Sequence, residues 1–340
     1  MNQTAKENKS RLITHPLMVT LLALICCALW GSATPFIKKG YEYLLPENNV
    51  PSIMLFAGIR FLLAGIITVI IYSVARRKLL YPRKENLPKV AVLSAFQTIL
   101  QYIFFYIGLA NTSGVKGTIA SGCNVFFAIL ISSLIFRQEK LSIKKIVACI
   151  LGFAGIIIVN LNGLTFNMNF LGDGFVLISA MSSGASSVFT KIYSKHEDPV
   201  VLSGYQFILG GFVMIIIGLA FGGVISPSRA AGIGVLIYLA FLSAIAYSLW
   251  GILLKHNPVS SVTIFSFMTP VFGVLLSKLM LTESSNVSIV NLLITLALVC
   301  TGIFILNYRK PEKPAAVSEM GESENSTESA VSASEDQKNG

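Results

Sequence analysis

The sequence predicts an all-α integral membrane protein with ten transmembrane helices, arranged as two inverted five-helix repeats. Three observations support this fold class. Hydrophobic residues make up 54% of the 340 residues and charged residues only 12%, which is about half the charge that a soluble domain of this size needs. Long apolar runs recur along almost the whole chain, and the second half repeats the pattern of the first.

Each predicted span is a continuously apolar run of about 20 residues, the length that crosses about 30 Å of hydrocarbon as a helix. Continuous runs favour helices over a barrel, whose strands alternate apolar and polar residues with period two. Connections between the runs are short, so little of the chain lies outside the membrane. The ten predicted spans are 17–37, 52–74, 88–109, 115–136, 143–161, 172–192, 200–221, 231–254, 259–280 and 287–307.

Most lysine and arginine residues fall in loops at one end of the predicted bundle, called here the basic end. Cytoplasmic loops carry an excess of these residues, so we predict a cytoplasmic (inner) cell-membrane protein with both termini cytoplasmic. The net charge of +10 follows from this topology, and we expect no nucleic-acid partner. The basic end holds Lys6, Lys9, Arg11, Arg76, Arg77, Lys78, Arg83, Lys84, Lys89, Arg137, Lys140, Lys144, Lys145, Lys191, Lys195, Lys255, Arg309, Lys310 and Lys313, and the other end holds Lys38, Lys39, Lys116, Arg229 and Lys278.

The sequence contains no pattern typical of a cofactor, metal or catalytic site. All cysteines lie inside predicted spans without zinc-like spacing, and the histidines form no cluster. There is no phosphate-binding Gly-Lys-Ser/Thr loop, and no carboxylate or histidine lies at membrane depth. We therefore predict a protein that is not an enzyme and that holds neither cofactor nor metal.

The two ends of the chain are predicted to lie outside the bilayer. Residues 1–16 form a cytoplasmic N-terminus. Residues 311–340 are rich in acidic and small polar residues, too poor in apolar side chains to offset the entropy of ordering. They are predicted to form a disordered acidic cytoplasmic tail.

The repeat is visible as four matches that occur in the same order in both halves. The stretch "RFLLAGIITVII" from Arg60 matches "QFILGGFVMIII" from Gln206 at an offset of 146 residues. "AFQTILQYIFFYIGL" matches "AFLSAIAYSLWGILL" at 145, which places Tyr102 on Tyr247. "FAILISSLIFRQE", which ends at Glu139, matches "FGVLLSKLMLTE", which ends at Glu283, with 144 residues between these two ends. "GIIIVN" from Gly155 matches "GIFILN" from Gly302 at 147.

The repeat unit contains five spans, over residues 17–161 in the first copy and 172–307 in the second. Because five is odd, the second copy begins from the opposite side of the membrane, so Glu139 is predicted to be cytoplasmic and Glu283 external. Inverted repeats are typical of secondary transporters, which bind substrate near the midplane between the halves.

The chain resembles the EamA-type ten-span members of the drug/metabolite transporter superfamily. The residues that carry the resemblance are Trp30-Gly31 with the nearby Lys38, the "GLA" that closes span three, and "TPVFGVLLSKLMLTE" from Thr269. The resemblance covers about 17–307. Phe126 stands where Pro270 would predict a proline, and span six lacks the Trp-Gly pair, so the halves have diverged.

Arg60 is the charged residue that lies well inside a span. It is eight residues from the predicted external end, about 12 Å deep at 1.5 Å per residue, where an arginine costs about 2.5–3.5 kcal/mol on insertion scales. Three interpretations compete: it caps polar groups between helices, it meets an anionic substrate in a cavity, or it reaches outward to the lipid surface. Its counterpart Gln206 favours an inward-facing polar site in both copies.

Other candidate binding residues form polar-aromatic stripes or lie close to them. In span three, Gln101, Tyr102 and Tyr106 share one helical face, and Tyr247 and Trp250 form a similar stripe in span eight. Packing alone also explains such stripes, but a hydroxyl at mid-span needs a partner. The remaining candidates are Trp30, Asn124 and Thr269, with Lys38 as a contact implied by the resemblance and Pro270 as a kink for gating.

We predict a carrier that moves a small organic metabolite by alternating access in two inverted halves. The resemblance implies export and, as cargo, an amino acid or a similar metabolite. The alternatives are a membrane sensor or scaffold without transport activity, and a channel. The expected partners are the small-molecule substrate and the lipid bilayer, and assembly into a homo-oligomer stays open.

Overall fold

The computed structural model describes residues 12–161, 167–226, 229–280 and 288–308, which form helices and contain no strand. The predicted all-α class is therefore confirmed. The acidic tail and Glu283 lie outside the described residues. The helices are α1 (Pro16–Leu44), α2 (Val50–Arg76), α3 (Lys84–Ala110), α4 (Gly114–Ile135), α5 (Ile143–Val159), α6 (Phe170–Tyr193), α7 (Pro199–Ala220), α8 (Ala230–His256), α9 (Val259–Thr263, Ile264–Phe267 and Met268–Met280) and α10 (Ile289–Asn307).

Within the described part of the chain, nine helices are long and apolar enough to cross a membrane. The exception is α5, which corresponds to the predicted span 143–161 but has 17 residues, about 25 Å at 1.5 Å per residue. α1 is longer than predicted, because it continues past the predicted end at residue 37 to Leu44. Lys38 therefore lies within a helix and not in a loop.

Helix starts follow from capping residues at the loops. The Asn49 side chain accepts a hydrogen bond from the Ser52 backbone N–H at the start of α2. The Asp198 side chain accepts one from the Val200 backbone N–H at the start of α7. In both helices a proline follows within the first turn, where its missing N–H costs nothing.

α2 and α7, which are counterparts in the repeat, pack along one another in antiparallel directions. A Cβ atom added at Gly58 would lie 2.9 Å from the Gly211 carbonyl oxygen, and one added at Gly65 would lie 2.6 Å from the Gly204 carbonyl oxygen. Small residues of this kind let helix backbones approach closely. At the offset of 146, Gly58 corresponds to Gly204 and Gly65 to Gly211, so each contact is the image of the other.

Exchanging each residue for its counterpart in the other half also relates contacts elsewhere in the bundle. Gly31 of α1 packs on Phe272 of α9, where an added Cβ would lie 2.6 Å from the Phe272 Cβ. Gly184 of α6 packs on Ala128 of α4, with 2.7 Å from its added Cβ to the Ala128 backbone nitrogen. The same added Cβ would lie 2.9 Å from the Cβ of Phe127, and Phe127 begins its matching stretch as Phe272 begins the other. Span six therefore keeps the glycine of the Trp-Gly pair, with Ser183 in place of the tryptophan.

α4 and α9 are both interrupted at equivalent positions. α9 contains a 3₁₀ segment, Ile264–Phe267, just before Pro270. Pro270 has no N–H to donate to the carbonyl four residues earlier, and its ring crowds that carbonyl. α4 is interrupted at Cys123, which corresponds to Met268, directly after the 3₁₀ segment, when Phe127 is aligned with Phe272. The first copy thus has the interruption without the proline, so no residue type predicted it.

Candidate functional site

Aromatic rings from five helices of both halves meet in one group, called here the aromatic cluster. Trp30 lies with its ring centroid 5.2 Å from that of Tyr247 and 4.9 Å from that of Trp250. Phe61 lies 4.6 Å from Tyr102, and Phe207 lies 4.9 Å from Tyr247. Such separations are typical of favourable ring pairs. The aromatic cluster consists of Trp30 on α1, Phe61 on α2, Tyr102 on α3, Phe207 on α7, and Tyr247 and Trp250 on α8.

Two contacts in the aromatic cluster join residues that are counterparts in the repeat. The hydroxyl oxygens of Tyr102 and Tyr247 lie 3.1 Å apart. The rings of Phe61 and Phe207 stack at 5.1 Å, with 5° between their planes. A residue can touch its own counterpart only near the axis that relates the two copies. These four side chains therefore mark the centre of the repeat.

Arg60 is buried beside the aromatic cluster, with only 4% of its surface exposed. Its guanidinium carbon lies 4.3 Å from the centroid of the Phe61 ring and 5.9 Å from that of Tyr102, within reach of a cation–π interaction. Among the residues that the structure describes, no carboxylate forms an ion pair with it, and its Nε has no hydrogen-bond partner.

This geometry decides between some of the interpretations of Arg60. Its burial contradicts the outward-reaching arrangement at the lipid surface. The capping interpretation finds no support at the Arg60 Nε, which has no hydrogen-bond partner among the described residues. The interpretation in which Arg60 meets an anionic substrate stays a prediction.

Tyr106 and Gln101 occupy different surroundings on α3. The Tyr106 ring lies 5.8 Å from that of Tyr102 and its hydroxyl lies near that of Tyr41 on α1, so Tyr106 extends the aromatic cluster. The Gln101 backbone carbonyl accepts a hydrogen bond of 2.7 Å from Ser179 on α6. This hydrogen bond joins the two halves and uses the backbone of Gln101, not its side chain.

Gln206 lies in a separate polar group between α7 and α3. It is fully buried, and its Oε1 accepts a hydrogen bond of 2.7 Å from the Thr98 hydroxyl. Its Nε2, the Ser94 hydroxyl and the Gln97 Oε1 are buried without partners in the described structure. Residues 95–100 of α3 form a π-helical segment, a feature that is frequent at functional sites.

The other predicted residues lie on three different helices, α4, α9 and α1. Asn124 is half-buried at the interruption of α4, and its Oδ1 has no partner among the described residues. Thr269 lies near the Cys27 thiol, beside the half-buried Pro270. Lys38 is exposed on α1, eight residues beyond Trp30 and so about 12 Å farther along the helix axis.

A charged network at the basic end joins the two halves. The Glu139 carboxylate accepts hydrogen bonds from Lys145 Nζ at 2.9 Å, from the Ser260 backbone N–H at 3.2 Å and from the Ser260 hydroxyl. Burial alone would raise the pKa of the Glu139 carboxyl, but the hydrogen bonds from Lys145 and Ser260 outweigh it and hold the pKa below its usual value. Glu139 is therefore ionised at neutral pH and ties the α4–α5 loop to the start of α9.

The sequence reasoning missed the two phenylalanines and Ser260. Phe61 and Phe207 have no polar atom, so the search for binding residues passed over them. Their matching places in the two halves were the available signal. Ser260 becomes a partner of Glu139 only through folding, because 121 residues separate the two.

Comparison with known proteins agrees with this architecture. A family model described as the EamA-like transporter family matches residues 17–161 and 170–308, one match in each half. The protein named uncharacterized transporter YvbV of Bacillus subtilis (strain 168) is 26% identical, with 87% of this chain and 94% of the relative covered. An uncharacterized transporter of Archaeoglobus fulgidus is 24% identical, with 77% and 90% covered.

The fold also occurs in a solved structure. One crystal structure of a protein matches with a TM-score of 0.68 at 18% sequence identity, covering 85% of this chain and 96% of that one. This similarity concerns the fold alone. Together with the two family matches, it fits an arrangement of ten helices in two inverted repeats.

Proposed function

Because this chain belongs to the EamA-like transporter family, we propose that it is a secondary transporter that moves a small carboxylate metabolite, such as an amino acid, by alternating access. The family and the named relatives make it a multi-pass membrane transporter and not an enzyme. The proposed direction is export across the cytoplasmic membrane, with the basic end and both termini inside. The positions of the basic residues support this orientation.

The observation that carries the proposed substrate class is the buried charge of Arg60, which pairs with no carboxylate among the described residues. Removing an ion from water costs several kcal/mol even after relaxation, whereas a cation–π contact returns about 2 kcal/mol when desolvated. The rings of Phe61 and Tyr102 therefore do not offset the cost. A substrate carboxylate would, because a guanidinium offers it two parallel hydrogen bonds.

The aromatic cluster supports the rest of the proposed substrate. Trp30 and Tyr102 are only half-buried, and the indole Nε1 of Trp30 is a buried donor without a partner among the described residues. An organic group next to the carboxylate would meet ring faces on one side and unused donors on the other. Binding sites of this kind combine an apolar lining with a few placed polar groups.

Counterflow into proteoliposomes tests the proposal. Vesicles loaded with one metabolite of a panel receive the same metabolite as a radioactive tracer, and the panel pairs each carboxylate with its neutral amide. We expect transient tracer accumulation for carboxylates and about tenfold less for amides. Equal accumulation of both would contradict the role of Arg60. Tracer entry without accumulation above equilibrium would indicate a channel, and no entry would favour a sensor or scaffold.

A further inference from the structure

We propose that Ser243 on α8 is a positioning residue that binds Arg60 in the opposite-facing state. In that state the Thr98–Gln206 hydrogen bond is broken, and a hydrogen bond from Arg60 to Ser243 replaces it. The inference rests on the proposed alternating access. It assigns a role to a buried serine outside the aromatic cluster and makes the release of an anion part of the conformational change.

The argument starts from the geometry of a two-fold repeat. Consider a contact between residue a of the first copy and residue b of the second. A two-fold axis relates it to a second contact, between the counterpart of a in the second copy and the counterpart of b in the first, which is called its image here. If the two facing states arise by exchanging the conformations of the halves, a contact present in one state has its image in the other. A contact whose two images occur together persists in both states.

Several contacts in the structure have both images present. The Cys26 thiol on α1 donates to the Ala246 carbonyl on α8 at 3.5 Å, and the Ser179 hydroxyl on α6 donates to the Gln101 carbonyl on α3 at 2.7 Å. Ala246 is the counterpart of Gln101 at the offset of 145, and Ser179 precedes Gly184 by five residues as Cys26 precedes its counterpart Gly31. The glycine contacts between α2 and α7 form a second such pair. These contacts form a frame that both states share.

The Thr98–Gln206 hydrogen bond has only one image present. Thr98 corresponds to Ser243 at the offset of 145, and Gln206 corresponds to Arg60 at 146, so the missing image joins Ser243 to Arg60. Both of those residues are described, and the structure shows no hydrogen bond between them; the Arg60 Nε has no partner among the described residues. α8 packs against α2 as α7 packs against α3, so the two helices are already neighbours.

The chemistry of the exchanged pair is complementary. Thr98 donates its hydroxyl hydrogen to the Gln206 carbonyl oxygen, while Ser243 would accept on its hydroxyl oxygen from an Arg60 N–H. Ser243 is 3% exposed, so an Arg60 N–H that reached its hydroxyl would form a hydrogen bond shielded from competing water. In the present state the Arg60 Nε has no partner among the described residues and could donate to an anion. In the other state Ser243 occupies one of the guanidinium donors, which weakens anion binding and favours release.

The test measures the conformational equilibrium and needs no substrate. Val259 at the start of α9 is fully buried beside the Glu139 network, so the basic end is closed here. A Val259→Cys reporter in an otherwise cysteine-free protein should react with a thiol reagent only when that end opens. We expect Thr98→Val to raise the labelling rate about fivefold. The variant removes one hydrogen bond from the closed state, and the net contribution of one hydrogen bond corresponds to about that factor in the conformational equilibrium.

The reciprocal variant separates this proposal from simple loosening of the bundle. Ser243→Ala should lower the labelling rate, and Thr98→Val combined with Ser243→Ala should return it close to the starting value. Thr68→Val and Ser186→Ala are matched controls, because these buried hydroxyls bond to carbonyls of their own helices. The controls should leave the rate unchanged.

The outcomes either support the exchange or overturn it. Shifts in the same direction for Thr98→Val and Ser243→Ala, or no shift in either, would overturn it. Thr98→Ser and Ser243→Thr keep the hydroxyl and should be labelled at the rate of the parent protein. They show that a substitution at either position is compatible with folding. If Thr98→Val and Ser243→Ala shift the labelling rate in opposite directions but no metabolite shows counterflow, the proposed substrate transport is refuted and the conformational exchange is still supported.

Discussion

Tyr102 on α3 and Tyr247 on α8 are counterparts in the internal repeat, and their hydroxyl oxygens lie 3.1 Å apart. The stacked rings of Phe61 and Phe207 form a second contact between counterparts. A contact between counterparts is its own image when the halves exchange conformation. These two contacts are therefore expected to stay formed while the ends of the bundle open and close.

The tyrosine pair should behave as one unit in mutagenesis. Tyr102→Phe and Tyr247→Phe each remove one partner of the same hydrogen bond, so each should lower the free energy of unfolding by about 0.5–1.5 kcal/mol. The double variant should cost about as much as one single variant, because the bond can be lost only once. Thermal unfolding in detergent measures this, and additive losses would show that the hydroxyls act separately.

Removing the charge of Arg60 should reduce transport and not insertion. Arg60→Gln copies the residue of the second half and removes the charge, so tracer counterflow of a carboxylate should fall about tenfold or more, given about 1.5–3 kcal/mol for a charged hydrogen bond. Arg60→Lys should recover part of the activity, because the charge remains but the planar fork is lost.

The control for Arg60 is Arg229→Gln. Arg229 is exposed and lies 3.9 Å from an exposed carboxylate, that of Glu42, and such surface pairs contribute little. Transport should be unchanged in this variant. Full activity of Arg60→Gln at normal expression would remove Arg60 from the proposed binding site, while loss of expression would favour a structural role.

The Glu139 network should make folding stability sensitive to acid. The folded-state pKa of Glu139 lies below its usual value of 4.5, since hydrogen bonds from Lys145 and Ser260 outweigh burial. Its stabilising contribution is therefore present above pH 4.5 and lost as the pH falls through the lower folded-state pKa. The unfolding temperature in detergent should drop over that interval, and Glu139→Gln should reduce the size of the drop.

Glu42→Gln serves as the comparison for Glu139, because the Glu42 side chain is 63% exposed and pairs only at a distance. Its acid profile should match that of the parent protein. An acid profile of Glu139→Gln that also matches the parent would show that the network does not stabilise the fold.

The glycine contact between α2 and α7 should be intolerant of a single methyl group. Gly65→Ala would place a Cβ 2.6 Å from the Gly204 carbonyl oxygen and 2.7 Å from the Ile208 backbone nitrogen, so the helices must separate. We expect a loss of about 1–3 kcal/mol in the free energy of unfolding. Gly234→Ala on α8 meets no atom within 4 Å and should be neutral or gain up to about 1 kcal/mol. Equal effects in thermal unfolding would contradict the close packing.

Part of the candidate site could be predicted from sequence. Arg60, Tyr102 and Tyr247 were identifiable because a charge or a hydroxyl at mid-span needs a partner. Gln206 was identifiable from its repeat counterpart, but its actual partner, Thr98, was not. Asn124, Thr269 and Lys38 were plausible by type or resemblance, and their place in a substrate site stays a prediction.

The sequence by itself determined the membrane class, the positions of the apolar runs and the repeat, because these are sums over neighbouring residues along the chain. Tertiary structure alone decided which side chains meet. That outcome depends on the rotation of each helix about its axis and on how closely the helices approach, which are set by contacts such as that between Gly65 and Gly204. Residues far apart in the chain form these contacts, so no local pattern could have placed Phe61 on Phe207 or Glu139 on Ser260.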